Sequence, residues 1–381
     1  MVFLDNAATS YLKPPSVRRA VLEALTECAS SGRGGYAATR AAEARVFKTR
    51  RALAQLYGLD RPEQVSFSFN ATGALNMAIK GLANSGQIVI SGFEHNAVAR
   101  PVRAVCADGG FIVAKSPLFD PEAMLRAFDA AFTPGTTLAV CCHVSNVFGF
   151  IAPVEELDAL CYARGVPLVI DASQSAGLVI PDTARLRATQ FLCMPGHKGL
   201  YGPQGTGVAL HLGSLPCATL IEGGTGSRSA ELTQPEFEPD RFESGTLNIP
   251  GIAGLYEGVQ FVQKRTPGRL LARERTLSLD AIAELQRMPG VRVFAPPEAS
   301  LMTGVFSFTV EGWECEDIAG AFASAGIAVR AGLHCAPLAH QSAGSFPGGT
   351  VRVSPGAFTT PGDMEKLCRA VRALSRQRSQ V

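Results

Sequence analysis

The sequence predicts an α/β protein: a large domain built on a mostly parallel sheet, followed by a smaller C-terminal α+β domain. Three observations carry that expectation. From Gln64 onward, short β-branched or apolar runs alternate with helical segments, the rhythm of a doubly wound sheet. The runs are continuously apolar, as strands buried on both faces are. After Gly251 the rhythm breaks into a long helical stretch and then strands with a different spacing. The 381 residues favour two or three domains over one, and 46% hydrophobic against 18% charged residues supports a large core. The division expected is residues 1–250 and 251–381.

The elements follow in order. A short strand opens the chain. PPSVRRAVLEALTECAS then begins with proline and carries apolar residues at helical spacing, and TRAAEARVFKTRRALAQLYG reads as a longer helix. QVSFSFN, QIVISG, FIVAKS, TTLAVCCHVS and VPLVIDAS are the strands of the sheet. ATGALNMAIKGLA and EELDALCYARG are helices between them. The stretch IEGGTGSRSAELTQPEFEPDRFESGTLN reads as a long ordered loop, and such loops in compact domains are often functional. Past Gly251, the helical LLARERTLSLDAIAELQRM precedes VRVFAP, TGVFSFTVEG, a helix over CEDIAGAFASAG, the strands IAVRAG and VRVSPG, and a last helix near PGDMEKLCRAVRALSRQ.

Composition excludes several roles. Thirty-five basic and 33 acidic side chains leave a formal charge of +2, so no strong field for nucleic acid or an anionic membrane is expected. MVFLDNAATS shows no signal-peptide pattern, and no apolar stretch is long enough to span a bilayer. A cytoplasmic location is expected. The 10 cysteines are scattered without a CxxC, which fits free thiols rather than disulfides or a metal site.

The candidate chemistry sits at the strand ends. Lys198 follows the strand-like FLCM in a Gly-His-Lys-Gly loop, where an amine can form a Schiff base with a carbonyl cofactor. A lone loop lysine is more often merely solvent-facing. Asp171 ends VPLVIDAS, the place where open α/β sheets bind ligands, and a carboxylate there can pair with a protonated pyridine nitrogen. A helix cap is the alternative for Asp171, and a loop-end cap for Gln174, which would otherwise donate to a cofactor phenolate. Asn70-Ala71-Thr72-Gly73 joins a strand to a helix, and its amides with the Thr72 hydroxyl form a phosphate cradle. Ordinary capping explains the same residues. His95 closes the next strand, where an imidazole would stack on a ring and move protons, or simply cap a helix. Cys335 lies between Gly332 and Pro337 on a predicted loop, unlike the other cysteines, which mostly fall in apolar strand or helix patterns. Most such cysteines are structural. His334 and Arg330 are positioned in sequence to favour its thiolate. Arg352 in VRVSPG offers a planar fork for a carboxylate or a structural ion pair.

LDNAAT, NATG, EHNAV, HVSNVFG, IDASQSAG, GHKGLYGPQGTG, FESGTLN, RAGLHCAP and VRVSPG occur in the order seen in class V pyridoxal-phosphate enzymes. The chain resembles the cysteine desulfurases of the sulfur-mobilising and selenocysteine-lyase-like branch over nearly its whole length. GHKGLYGPQGTG and RAGLHCAP are the specific motifs. The resemblance implies a fold-type I enzyme with pyridoxal 5'-phosphate on Lys198, Asp171 on the pyridine nitrogen, Gln174 on the phenolate oxygen and His95 on the ring face. It implies that Thr72, with Ala71, and His197 hold the phosphate, and that Thr246 reaches the phosphate of a partner subunit in a homodimer with shared active sites. Asn146 and Arg352 would hold the substrate carboxylate. Cys335 would take the sulfur of L-cysteine as a persulfide, release alanine and pass the sulfur to an acceptor protein, as in iron-sulfur cluster assembly.

Two positions depart from the pattern. Pro195 stands where a hydroxyl residue often precedes the His-Lys pair, which removes one phosphate contact. APLAHQSAGSFPGG, after Cys335, reads as a Gly/Ser-rich loop. Three other readings stay open at this stage: selenocysteine lyase, which needs the same groups; a class V aminotransferase, which does not need Cys335; and a binding-only scaffold without cofactor.

Overall fold

The computed structural model describes residues 1–32, 34–106 and 110–377. The opening strand β1 (Val2–Phe3) is followed by helices α1 (Pro15–Glu27) and α2 (Ala37–Leu56). The sheet strands are β2 (Val65–Ser68), β3 (Gln87–Ser91), β4 (Phe111–Ala114), β5 (Thr136–Cys142), β6 (Leu168–Asp171), β7 (Thr189–Pro195) and β8 (Gly207–His211). Between them run α3 (Ala71–Leu82), α4 (Asn96–Val105), α5 (Pro121–Ala131) and α6 (Val154–Arg164). The sheet has 7 strands in the order β2-β8-β7-β6-β5-β3-β4. Only β8 runs against its neighbours.

Burial on both faces explains the uninterrupted apolar strands. Along β3, β5 and β6, Val89, Ala139, Cys141, Leu168 and Ile170 pack into one apolar cluster. Their neighbours Ile88, Ile90, Leu138, Val140 and Val169 pack into another, together with α3 and α4. The period of two in a strand sends alternate side chains to opposite faces, so both faces need apolar residues.

The C-terminal part comprises α7 (Ile249–Arg265), α8 (Pro267–Leu285), β9 (Val291–Phe294), β10 (Phe306–Val310), α9 (Cys315–Ser324), β11 (Ile327–Ala328), β12 (Arg330–Gly332), α10 (Pro337–Ala343), β13 (Thr350–Val353) and α11 (Pro361–Gln377). Its sheet is antiparallel, in the order β12-β13-β10-β9. α7 packs on α1 and α2, whereas α8 packs on α11. IAVRAG, read as one strand, is two: β11 pairs with β1, and β12 pairs with β13. The chain's first residues therefore lie against the C-terminal part, continued by an Asp5–Ser354 bridge.

The segment after Cys335 also differs from the loop expected there. Pro337 opens α10, and Gly344 in the left-handed region (φ 68°) ends it. Proline is suited to a first helical position and glycine to the residue past the end. The long 221–248 stretch contains one short 3₁₀ turn, Asp240–Phe242. Its end is anchored by Glu243, which accepts from Arg50 Nη1 at 2.8 Å and from the Phe67 amide at 2.6 Å. Among the described residues, no helix is long and apolar enough to cross a membrane.

Candidate active site

The C-terminal ends of the parallel strands converge on one cavity of about 530 Å³. Asn70, Ala71 and Thr72 reach it after β2, His95 after β3, Asn146 after β5, Asp171 and Gln174 at the end of β6, and His197 and Lys198 after β7. Two glycines let the last two segments touch. A Cβ on Gly199 would collide with the Ala176 carbonyl, and one on Gly177 with the Gly199 carbonyl. The loops carrying Asp171 and Lys198 are therefore in backbone contact.

At one end of the cavity, Asn70 caps α3: its Oδ1 accepts from Gly73 N at 2.9 Å. The Ala71 and Thr72 amides keep no intrahelical partner, which favours an anion there. His197 Nδ1 lies 3.1 Å from Thr9 Oγ1. Pro195 also lines the cavity, without a side-chain donor. Asp171 is buried at 3% exposure, and its Oδ1 accepts from Ser173 N at 2.8 Å. Gln174 Nε2 donates to the Ala7 carbonyl at 3.0 Å, using one of its two hydrogens.

The charge states follow from burial and neighbours. Desolvation pushes the Lys198 amine down to about 8; Asp171 opposes this, while Arg352 and Arg330 reinforce it. Desolvation likewise lowers His95 to about 4, against the pull of Asp171, so this imidazole is neutral near pH 7. Its Nδ1 accepts from Ala97 N at 3.0 Å, which leaves the hydrogen on Nε2. His197 is also lowered to about 4, by desolvation and then by Lys198 and Lys13.

Arg352 is 2% exposed. Its Nη2 meets Asp5 Oδ1 at 2.5 Å, and its Nη1 donates to the Asn146 carbonyl at 3.0 Å. Among the described residues its buried Nε has no acceptor and the buried Asn146 Oδ1 has no donor. A buried, unmatched guanidinium N–H is costly unless a ligand meets it. Both interpretations of Arg352 thus have a physical basis: a structural pair with Asp5, and a free donor beside it.

Cys335 lies outside this cavity, in an adjoining open groove that shares Thr72, His95 and Ala97 with it. His334 and Cys335 both adopt the left-handed region, with φ of 51° and 56°. That conformation costs a non-glycine residue about 1–3 kcal/mol. The turn is held by Asn96 N donating to the Cys335 carbonyl at 2.7 Å and by Ala336 N donating to Leu333 O at 2.8 Å. His334 does not serve the thiol as its sequence position suggested. Its ring is buried, stacks on His340, and is pushed down to about 2 by desolvation and Arg352, so it brings no positive charge. Thr246 is exposed and lines a different cavity with Phe67, Gly73 and Leu247.

Residues 5–13 were not assigned a role from sequence, yet they hold the loop that carries His197 and Lys198. Besides Asp5 and Ala7, Ser10 Oγ donates to the Lys198 carbonyl at 3.0 Å and Lys13 Nζ to the His197 carbonyl at 2.9 Å. LDNAAT was the available signal. Its use depends on a chain reversal that local pattern does not encode.

Comparison with known proteins agrees with this geometry. The family model for aminotransferase class-V matches residues 2–367. A probable cysteine desulfurase of Mycolicibacterium paratuberculosis is 30% identical, covering 98% of this chain and 55% of the relative, so the chain spans little more than half of that protein. A probable cysteine desulfurase of Vibrio cholerae is 30% identical over 97% of this chain and 93% of its own length. Among solved structures, the apo cysteine desulfurase of Thermococcus onnurineus NA1 superposes with a TM-score of 0.90 at 28% identity, covering 99% of this chain and 95% of that one. The Escherichia coli cysteine desulfurase CsdA, as its S-sulfonic acid, gives 0.85 at 26% identity, covering 98% and 94%.

Class V enzymes depend on pyridoxal phosphate, and the residues here fit it. Among the described residues the hydrogen bond of the Asp171 carboxylate uses Oδ1, and Asp171 lines the cavity, so Oδ2 is left for a cationic ring nitrogen. Unpaired helix amides stand where a phosphate would lie, and an amine of lowered basicity lines the same cavity. Match, superposition and donor set agree: the chain belongs to the class-V aminotransferase family.

Proposed function

We propose that this chain is a cysteine desulfurase that converts L-cysteine to L-alanine and retains the sulfur on Cys335. The observation that carries the reading is the contrast among its thiols. Among the described residues only Cys335 is exposed, and it opens beside the Lys198 cavity. Burial raises the pKa of the others where they line the core: Cys141, Cys142 and Cys193 lie far above the ordinary value, and Cys217 and Cys315 are at about 11.

Bound pyridoxal phosphate supplies an electron sink for the charge left when the substrate's α-proton is removed. The chain's residues do the rest. Lys198, with basicity lowered to about 8, has an accessible free-base form and takes that proton, help typically worth ~10²–10⁴-fold. Asp171 would hold the compensating negative charge, neutral His95 would cover the ring face, and Gln174 would donate to the phenolate. Ala71, Thr72 and His197 would hold the phosphate. Arg352 Nε and Asn146 orient the substrate carboxylate. The Cys335 thiolate attacks the substrate sulfur: an S–S bond forms as the C–S bond breaks, and proton uptake completes alanine. The products are alanine and an enzyme persulfide, with no net oxidant.

This reading includes a homodimer in which Thr246, exposed on a separate cavity, reaches the partner's phosphate. It includes a sulfur-acceptor protein, and a cytoplasmic setting supported by 10 free cysteines. The two-domain division belongs to it as well, with α7 packed on the first unit. L-selenocysteine is the second substrate to test, because the same groups would serve it. The test is alanine release from both substrates by the wild type and Cys335→Ala. The variant should lose most release from cysteine and keep part of that from selenocysteine, whose carbon–selenium bond is weaker. Equal release from cysteine would point to an aminotransferase or another lyase.

A further inference from the structure

The groove at Cys335 has a charge that the desulfuration step does not use. Its walls are one face of α3, with Thr72, Asn76 and Lys80, and one face of α4, with Ala97, Arg100 and Ala104. Residues four apart on a helix share a face, so each wall is a continuous stripe. Lys80 and Arg100 are exposed, and among the described residues neither has a hydrogen-bond or ion-pair partner. Among the described residues no aspartate or glutamate lines the groove. The groove opens to solvent with Cys335 exposed at its side. On the desulfurase reading the substrate's own carboxylate goes to buried Arg352, which bonds the Asn146 carbonyl beside the inner cavity, so the outer cations are left for something arriving from outside.

We propose that this groove is the docking site of the sulfur acceptor, and that the acceptor presents its thiol on an acidic protein segment. The inference rests on the desulfurase reading. Charge complementarity selects the partner: two unpaired cations beside the sulfur favour approach of carboxylates and repel a basic segment. Ala97, Pro101 and Ala104 provide apolar contact between the charges. In the transfer, the acceptor thiolate attacks the outer sulfur of the Cys335 persulfide. A new S–S bond forms on the acceptor, the S–S bond at Cys335 breaks, and Cys335 leaves as thiolate. The exchange consumes no oxidant or reductant.

The experiment uses holoenzyme charged with L-cysteine. The persulfide is discharged by two synthetic peptides of equal length, one with cysteine flanked by aspartates and one with cysteine flanked by lysines. Peptide persulfide is followed by mass spectrometry in the wild type and in the double variant Lys80→Glu/Arg100→Glu. Flanking charge alters a peptide thiol's own reactivity, so the readout is the acidic-to-basic rate ratio in the wild type divided by that in the variant, which cancels it. That quotient should be roughly tenfold or more at low salt and should fall towards one at high salt. Lys80→Ala/Arg100→Ala should give an intermediate value. First-turnover alanine formation should be unchanged in both variants, which shows that the fold and the inner site are intact. A quotient near one at low salt with normal charging of Cys335 overturns the docking inference alone. Failure of the wild type to form a persulfide overturns the desulfurase reading, and the docking inference with it.

Discussion

Arg352→Lys separates the charge of Arg352 from its fork. Lysine keeps a cation near Asp5, so the carboxylate is not stranded. Stranding it by truncation would cost about 3–5 kcal/mol and confuse binding with unfolding. A single ammonium cannot reach Asp5, the Asn146 carbonyl and the direction of Nε together, because those contacts radiate from three nitrogens. The donor given up is thus the unmatched Nε–H. A charge-assisted hydrogen bond to a substrate carboxylate is worth about 1.5–3 kcal/mol. That corresponds to a rise of about 10- to 150-fold in KM for cysteine. The assay is steady-state alanine formation, with pyridoxal phosphate affinity from visible absorbance and Tm measured alongside. Cofactor affinity should stay near wild type. An unchanged KM would make Arg352 a purely structural partner of Asp5 and refute its assignment to substrate.

Lys198→Ala should lose turnover and the covalent attachment of the cofactor, read as failure of borohydride to fix pyridoxal phosphate to the chain; normal turnover would remove Lys198 from the chemistry. Gly199→Ala forces a Cβ into the Ala176 carbonyl and should cost about 1–3 kcal/mol by separating the loops of Asp171 and Lys198, seen as a lower Tm together with weaker cofactor binding; a wild-type Tm would show that the contact is not needed. Glu274, 5% exposed and lining a cavity that also reaches Lys198, has its carboxyl pushed up to about 8 by desolvation. A folded pKa above the unfolded one gives stability that is complete below the unfolded pKa, about 4.5, and is lost as pH rises through about 8. Glu274→Gln removes that loss, so its Tm relative to wild type should climb between about pH 5 and 9; a constant difference would contradict the buried, protonated carboxyl.

The parts of the molecule that were legible in sequence are those whose cause is local. Apolar runs such as TTLAVCC announce strands buried on both faces, and Pro15 or Asn70 announces a helix start, because these are short-range steric and hydrogen-bonding effects. Lys198, Asp171 and His95 were legible because parallel strands deliver their ends to one side, so three strand-end polar residues must be neighbours. What escaped depends on contacts distant in sequence. Nothing near Asp5 says that it meets Arg352. Nothing in RAGLHCAP says that His334 turns inward to His340 while Cys335 stays outside. The split of IAVRAG into two strands follows from Val2 and Phe3 returning to take one half. APLAHQSAG reads as a loop by composition, yet Pro337 and Gly344 bracket a helix whose His340 packs on Phe148.

The central claim is that Cys335, and not one of the buried thiols, receives the sulfur. Holoenzyme incubated with L-cysteine, alkylated, digested and analysed by mass spectrometry tests it directly. The account predicts one added sulfur on the peptide containing Cys335, absent when cysteine is omitted, with the peptides of Cys141, Cys142 and Cys193 unmodified. Alanine formed in step with sulfur appearing on another cysteine, or on none, would contradict it.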